Sequence, residues 1–186
     1  MLLKIMIIDS LCVFCGASPG NKVIYKDAAT SFGTELGRYG IRLIYGGGKS
    51  GLMGCVADGV LKAGGEVTGI IPNYLNSREL GHTRLTNLEI VNGMHERKQR
   101  MFDLADGIVA LPGGVGTLEE VLEIITWKQL GMHNKPIILL NSSGYWDHLN
   151  DLILNAIAHG FAAPITKDLY EMVANPSEII PTLRTI

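Results

Sequence analysis

The sequence predicts a single α/β domain: a doubly wound, mostly parallel sheet with helices on both faces. Three observations carry that expectation. Short apolar runs alternate with longer amphipathic segments, which is the pattern of repeated βαβ units. Glycine-rich segments at 16–20, 46–51 and 112–116 each follow the end of an apolar run. The 186 residues contain no Pro/Ser-rich linker and no charge run that would divide them.

The run Leu11-Cys12-Val13-Phe14-Cys15 opens the sheet as a buried strand, expected over 11–15. A helix over 22–39 follows, with Gly40 placed as its left-handed cap. The second strand spans 41–45, the second helix 52–63 and the third strand 66–71. Residues 73–87 fit neither period and read as a loop over one end of the sheet. A strand at 88–91 leads into a helix over 94–105, and a strand at 107–111 into a helix over 118–131. A strand at 136–140, a helix over 145–159 closed by Gly160, a candidate strand at 171–173 and a short helix after Pro176 complete the order.

Bulk properties narrow the function. The formal charge is −2, the pI is near 6.2, and no basic cluster is longer than Arg97-Lys98. Neither a nucleic acid polymer nor an anionic membrane suits that balance, so a small-molecule ligand is expected. Charged residues make up 18 %, below the usual ~25 %, so apolar surface remains after folding and a homo-oligomer is expected. The odd set Cys12, Cys15 and Cys55 suits a reducing cytosol. Cys12 and Cys15 stand three apart in a strand and point to opposite faces, which argues for structural thiols over a disulfide or a shared metal. No apolar stretch approaches the ~20 residues that cross a bilayer, and Met1 to Ser10 lacks a clear cleavage site, so a soluble cytoplasmic protein is expected.

Residues 107–120 carry the strongest chemical signal: an apolar strand runs into a glycine-rich turn that opens a helix bearing two carboxylates. Gly113, Gly114 and Gly116 allow positive φ and close approach of backbone N–H groups to an anion, with Thr117 adding a hydroxyl and an N-cap. Glu119 and Glu120 are expected in the first helical turn, where the macrodipole favours the ionised form. They are neighbours in sequence and project about 100° apart, so only one of them occupies the centre of the site. A tight turn with no ligand is the bland alternative.

Competing motifs are weaker. Gly46-Gly47-Gly48-Lys49-Ser50-Gly51 matches a dinucleotide fingerprint, but Glu66 begins the next strand and no acid closes it. A phosphate-binding P-loop would place its first glycine on Leu43, inside a strand. The five histidines form no zinc pattern, and no Gly-x-Ser-x-Gly elbow occurs. Met94, Arg97, Met101 and Leu104 share one helical face, so Arg97 lies in an apolar stripe near the end of a strand. It is either a snorkelling arginine or, with Lys98, part of a site for phosphate or a purine edge. Carboxylate, arginine and backbone donors together suit cleavage of a bond to a sugar, where positive charge grows on the anomeric carbon.

Pro112-Gly113-Gly114-Val115-Gly116-Thr117-Leu118-Glu119-Glu120 and Met94-His95-Glu96-Arg97-Lys98 form a specific pair of motifs. On these the chain closely resembles the Lonely Guy (LOG) family of cytokinin riboside 5′-monophosphate phosphoribohydrolases. The likeness extends from Cys12 to Tyr145 and implies a Rossmann-like fold over 11–186, with residues 1–10 as an extension of open status. It implies a homodimer that hydrolyses the N-glycosidic bond of a nucleoside 5′-monophosphate, with no cofactor and no metal. By motif position Arg97 and Glu120 look like the catalytic pair. Glu79, Lys98, Gly113, Gly114, Val115, Gly116, Thr117, Leu118, Glu119, Thr126, Gly46, Gly47 and Gly48 look like substrate-binding positions. The acid would stabilise an oxocarbenium ion or activate water, and the arginine would assist the departing base or hold the phosphate. Relatives of this fold that carry molybdenum cofactor or bind nucleotides without cleaving them make a non-catalytic carrier the alternative. A pyridoxal phosphate lysine, as a lysine decarboxylase would require, has no recognisable context.

Overall fold

The computed structural model describes residues 8–76 and 81–185. Seven strands form one sheet in the order β4-β3-β2-β1-β5-β6-β7, and every neighbouring pair is parallel. They are β1 (Ser10–Phe14), β2 (Arg42–Tyr45), β3 (Val67–Pro72), β4 (Asn87–Val91), β5 (Gly107–Ala110), β6 (Ile137–Leu140) and β7 (Glu171–Val173). The helices are α1 (Val23–Tyr39), α2 (Gly51–Lys62), the turn α3 (Asn73–Leu75), α4 (Met94–Asp103), α5 (Val115–Gln129), α6 (Asp147–Ala158) and α7 (Ile179–Leu183).

Alternation along the buried strands divides the core in two. Leu11, Val13, Leu43, Tyr45 and Val109 pack under α1, α2 and α7, while Cys12, Phe14, Ile44, Ile108 and Ala110 pack under α4, α5 and α6. Cys12 and Cys15 accordingly belong to opposite layers, and both are free thiols. The start of β1 is held at Asp106, whose Oδ2 accepts from the N–H groups of Asp9 and Ser10 and from the Ser10 hydroxyl.

Several boundaries differ from those expected. The helix placed at 118–131 begins at Val115, and the one placed at 145–159 begins at Asp147, after a turn that holds Tyr145 and Trp146. The loop expected over 73–87 includes the turn α3 and the first residue of β4; Glu79 lies outside the described residues. Gly40 and Gly160 do take left-handed φ values, 68° and 77°.

The order of strands reverses between β1 and β5. From there β1 feeds α1 on one face and β5 feeds α5 on the other, which opens a crevice at their carboxyl ends. Against α1, α2 approaches closely because glycines face it: a Cβ on Gly33 would stand 2.2 Å from the Val56 carbonyl oxygen, and one on Gly59 2.7 Å from that of Thr30.

A helical Gly→Ala change ordinarily gains about 1 kcal/mol in propensity. At Gly33 the backbone of α2 stands in the way, and overpacking of this kind costs about 1–3 kcal/mol. Gly33→Ala is therefore expected to lower the urea midpoint; an unchanged or raised midpoint would show that α1 and α2 separate freely.

Candidate active site

The crevice at the β1/β5 switch is a cleft of about 480 Å³. Its walls are the 15–20 segment after β1, Leu52 and Met53 at the start of α2, Met94 and Arg97 of α4, the turn from Pro112 to Gly114, the first turns of α5, and the rings of Tyr25 and Tyr145. Backbone bonds lace the two loops together: Leu111 N–H donates to the Phe14 carbonyl (2.9 Å) and Gly16 N–H to the Pro112 carbonyl (3.0 Å). The Gly16 carbonyl accepts from Leu52 N–H (3.0 Å), so α2 meets a fixed carbonyl at its N-terminus. By contrast, α5 starts from Gly114 with no side-chain cap. The N–H groups of its first turn have no intrahelical partner and, with the dipole, favour an anion there.

The glycines of this turn work differently from the expectation. Gly113, Gly114 and Gly116 are absent from the residues with positive φ. Gly113 is small because Thr117 Oγ1 would stand 2.1 Å from a Cβ there, whereas Cβ atoms on Gly114 or Gly116 would meet nothing within 4 Å. The last two thus leave the surface open to an incoming group. Thr117 is no N-cap; it is a buried residue inside α5. Val115 is 82 % exposed, and Leu118 packs into the core beneath α5.

Glu119 and Glu120 fall in the second turn of α5, because the helix begins three residues early. The dipole fades beyond the first turn, and burial decides the matter. Glu120 is 8 % exposed, and desolvation pushes its carboxyl up to about 7, partly offset by Arg97. It is therefore poised near neutrality rather than held as an anion. Glu119 lies mostly exposed and accepts an ion pair from Lys98 Nζ (2.6 Å), which also reaches Glu123 Oε2 (2.8 Å). Burial lowers the Lys98 pKa, but the bonds to Glu119 and Glu123 outweigh it and keep the ammonium charged.

Arg97 is not a snorkelling residue. Its guanidinium is buried, donating from Nε to the Ile70 carbonyl (3.1 Å) and from Nη2 to the Gly46 carbonyl (3.2 Å), with Nη1 against Met94 Sδ (3.6 Å). Gly46 makes this possible, since a Cβ there would stand 1.7 Å from Nη2. Gly47 carries a positive φ of 74° and accepts from His82 N–H, and the Gly48 carbonyl accepts from the Tyr45 hydroxyl. Gly46 is thus the seat of Arg97, Gly47 and Gly48 anchor the turn that carries it, and none of the three is among the residues lining the cleft. Lys98 sits beside the wall with its two carboxylates. Thr126 faces outward from α5, its hydroxyl on the Leu122 carbonyl (2.7 Å).

The structure brings Arg97, Gly113, Gly114, Gly116, Thr117, Glu119 and Glu120 to one cleft. It adds Cys15, Tyr25, Leu52, Met53, Met94 and Tyr145, which the motifs did not single out as site residues. Burial raises the Cys15 thiol, so this cysteine is a neutral wall residue.

The chain matches a family model described as "possible lysine decarboxylase" over residues 53–183. It is 46 % identical over 173 residues to "Cytokinin riboside 5'-monophosphate phosphoribohydrolase LOG1" of Arabidopsis thaliana, covering 93 % of this chain and 81 % of the relative. It is 45 % identical over 173 residues to "Probable cytokinin riboside 5'-monophosphate phosphoribohydrolase LOGL2" of Oryza sativa subsp. japonica, covering 93 % and 71 %. Among solved structures, the molybdenum cofactor binding protein from Rippkaea orientalis shares the fold at a TM-score of 0.73 and 20 % identity, over 97 % of this chain and 98 % of that one.

Two glycine variants separate seat from cradle. Gly46→Ala is expected to displace Arg97 and lower both the melting temperature and any ligand affinity. Gly114→Ala is expected to melt as the wild type while binding ribose 5-phosphate at least about tenfold more weakly. Unchanged affinity in Gly114→Ala would remove the open helix start as the anion site.

Proposed function

Because the chain belongs to the family of cytokinin riboside 5′-monophosphate phosphoribohydrolases, we propose that it hydrolyses the N-glycosidic bond of adenine-type nucleoside 5′-monophosphates to free base and ribose 5-phosphate. One observation carries this reading beyond the likeness: a buried carboxyl with a pKa of about 7, Glu120, shares a cleft with the buried guanidinium of Arg97 and the open start of α5. The phosphate fits the N-terminus of α5 at Gly114 to Gly116, and the sugar is then brought toward Glu120. As the C1′–N bond breaks, its electron pair goes to the base, and C1′ gains positive charge that the ionised Glu120 stabilises. Water adds to C1′, its proton passing to Glu120 and then to the base nitrogen, so that one water is consumed for each bond cleaved. Arg97, rigid between two carbonyls, offers its remaining N–H groups to phosphate or base.

Lysine decarboxylation has less support. Among the described residues, no lysine lines the cleft, and Lys98 is committed to Glu119 and Glu123. A homodimer is supported by Leu122, Thr126 and Leu130, which form one exposed stripe along α5, and by Met132 just beyond it. No helix among the described residues is long and apolar enough to cross a membrane. Three free thiols suit a reducing cytoplasm.

Incubation with AMP, isopentenyladenosine 5′-monophosphate and the unphosphorylated riboside, followed by chromatography, is expected to show base release from the monophosphates alone. Binding without release would identify a carrier. Glu120→Gln and Arg97→Ala are each expected to lower turnover about 100-fold or more. Since the ionised Glu120 is the working form, kcat/KM should rise with pH and level off above about 7; a fall across that range would make Glu120 a proton donor instead. The same shift sets stability. A carboxyl at about 7 in the folded state and near 4.5 when unfolded destabilises the fold progressively as pH rises between those values. Glu120→Gln should therefore melt higher than wild type at pH 8, by at most on the order of 3 kcal/mol, and should show no such advantage at pH 4. Leu122→Asp with Leu130→Asp should yield a monomer by light scattering if α5 forms the joint.

A further inference from the structure

The turn between β6 and α6 is held by more polar contacts than its length requires. Asn141 donates its backbone N–H to the Val173 carbonyl (2.7 Å), its side-chain amide donates to Asp147 Oδ1 (2.7 Å), and its side-chain carbonyl accepts from Trp146 N–H (2.7 Å). Lys22 Nζ reaches across from the start of α1 to Ser143 Oγ (3.0 Å). Ser143 is the one described non-glycine residue with a positive φ, 58°, a conformation kept only where surrounding bonds impose it. This rigid turn delivers Tyr145 to the cleft. Its ring lies edge-on to Tyr25 and Trp146, with centroids 6.1 and 5.0 Å away, and its hydroxyl donates to the Gly113 carbonyl.

Two successive carbonyls of the glycine turn are thereby tethered, Pro112 by the Gly16 N–H and Gly113 by the Tyr145 hydroxyl. In a trans peptide the N–H points opposite to the C=O, and no cis peptide occurs among the described residues. The Gly113–Gly114 peptide has no side chain on either flank; Thr117 packs closely at Gly113 but the space at Gly114 is open, so on that side the tyrosine hydroxyl is the contact that opposes its rotation. Rotated, its carbonyl dipole would turn toward an anion at the start of α5 and repel it.

We propose that Tyr145 is a positioning residue for anion binding: by holding the Gly113 carbonyl, it withdraws that oxygen from the phosphate site and keeps the Gly114 N–H free to donate. The proposal rests on the nucleotide reading above and adds to it a residue outside the glycine motif. Its action is selective, since only the phosphate-bearing part of a ligand meets this peptide.

The test is Tyr145→Phe, which keeps the ring contacts and removes the hydroxyl. Wild type and variant, both 15N-labelled, are titrated with ribose 5-phosphate and separately with adenosine. The variant is expected to bind ribose 5-phosphate about 3- to 10-fold more weakly, with a smaller shift of the Gly114 amide, and to bind adenosine as the wild type does at an equal melting temperature. Equal affinity for ribose 5-phosphate, or an equal loss for both ligands, overturns the proposal and leaves Tyr145 a packing residue. Failure of the wild type to bind ribose 5-phosphate defeats the nucleotide reading itself, and the proposal with it.

Discussion

Moving a guanidinium out of water costs several kcal/mol unless each N–H finds an acceptor. Arg97 meets part of that demand with two main-chain carbonyls from different segments, Ile70 in β3 and Gly46 after β2, and its other N–H groups are left to the cleft. The cost of that seat appears as sequence constraint: a glycine at 46, and a turn at 46–48 anchored to His82 and Tyr45 so that its carbonyl cannot drift. With Nε and Nη2 occupied, the charge has a fixed direction. The cleft is organised around a cation that cannot swing out to solvent.

That cation shares the cleft with two carboxylates of one helix, Glu119 and Glu120, and Glu123 follows one turn on. Glu119 and Glu123 both bind Lys98, and among the described residues Glu120 has no ion-pair partner of its own. Opposing effects then meet at Glu120. Burial and the neighbouring Glu119 raise its pKa, while Arg97 and Lys98 lower it, and burial is the largest of these. The adjacent placement of two glutamates, about 100° apart around the axis, therefore separates an exposed, ion-paired carboxylate from a buried one.

Much of this was legible in the sequence, for reasons that also explain what was not. Parallel strands buried on both faces are continuous apolar runs, so the strands could be read locally, whereas their order, with its reversal between β1 and β5, depends on pairings between segments distant in sequence. Arg97 announced itself as the lone cation in an apolar stripe. The start of α5 was misplaced because Val115-Gly116-Thr117 has poor helix propensity, while the first turn depends on tethers from Gly16 and Tyr145 that are distant in sequence. That error moved both glutamates into the field of the dipole and assigned Glu120 a permanent charge. Gly46 to Gly48 resembled a ligand loop because a glycine reports only that something must approach; here it is Arg97, 51 residues further along. Thr126 lies on the exposed face of α5 between Leu122 and Leu130, and a helix cannot reveal from its own sequence which of two faces meets a ligand.

The fold by itself does not decide between holding a nucleotide and cleaving it; electrostatics do. A protein that only binds a phosphorylated ligand is best served by backbone donors and cations, which the start of α5 and Arg97 already supply. Adding a buried carboxyl to such a site weakens binding whenever it ionises, through repulsion of the phosphate, and destabilises the fold above pH 4.5 through desolvation. Both penalties are unfavourable for a carrier. They become useful where positive charge appears transiently at a sugar carbon, because an anion in a low-dielectric cleft then stabilises the transition state more than it repels the ground state. The stability given up at Glu120 is, on this argument, the structural trace of a reaction.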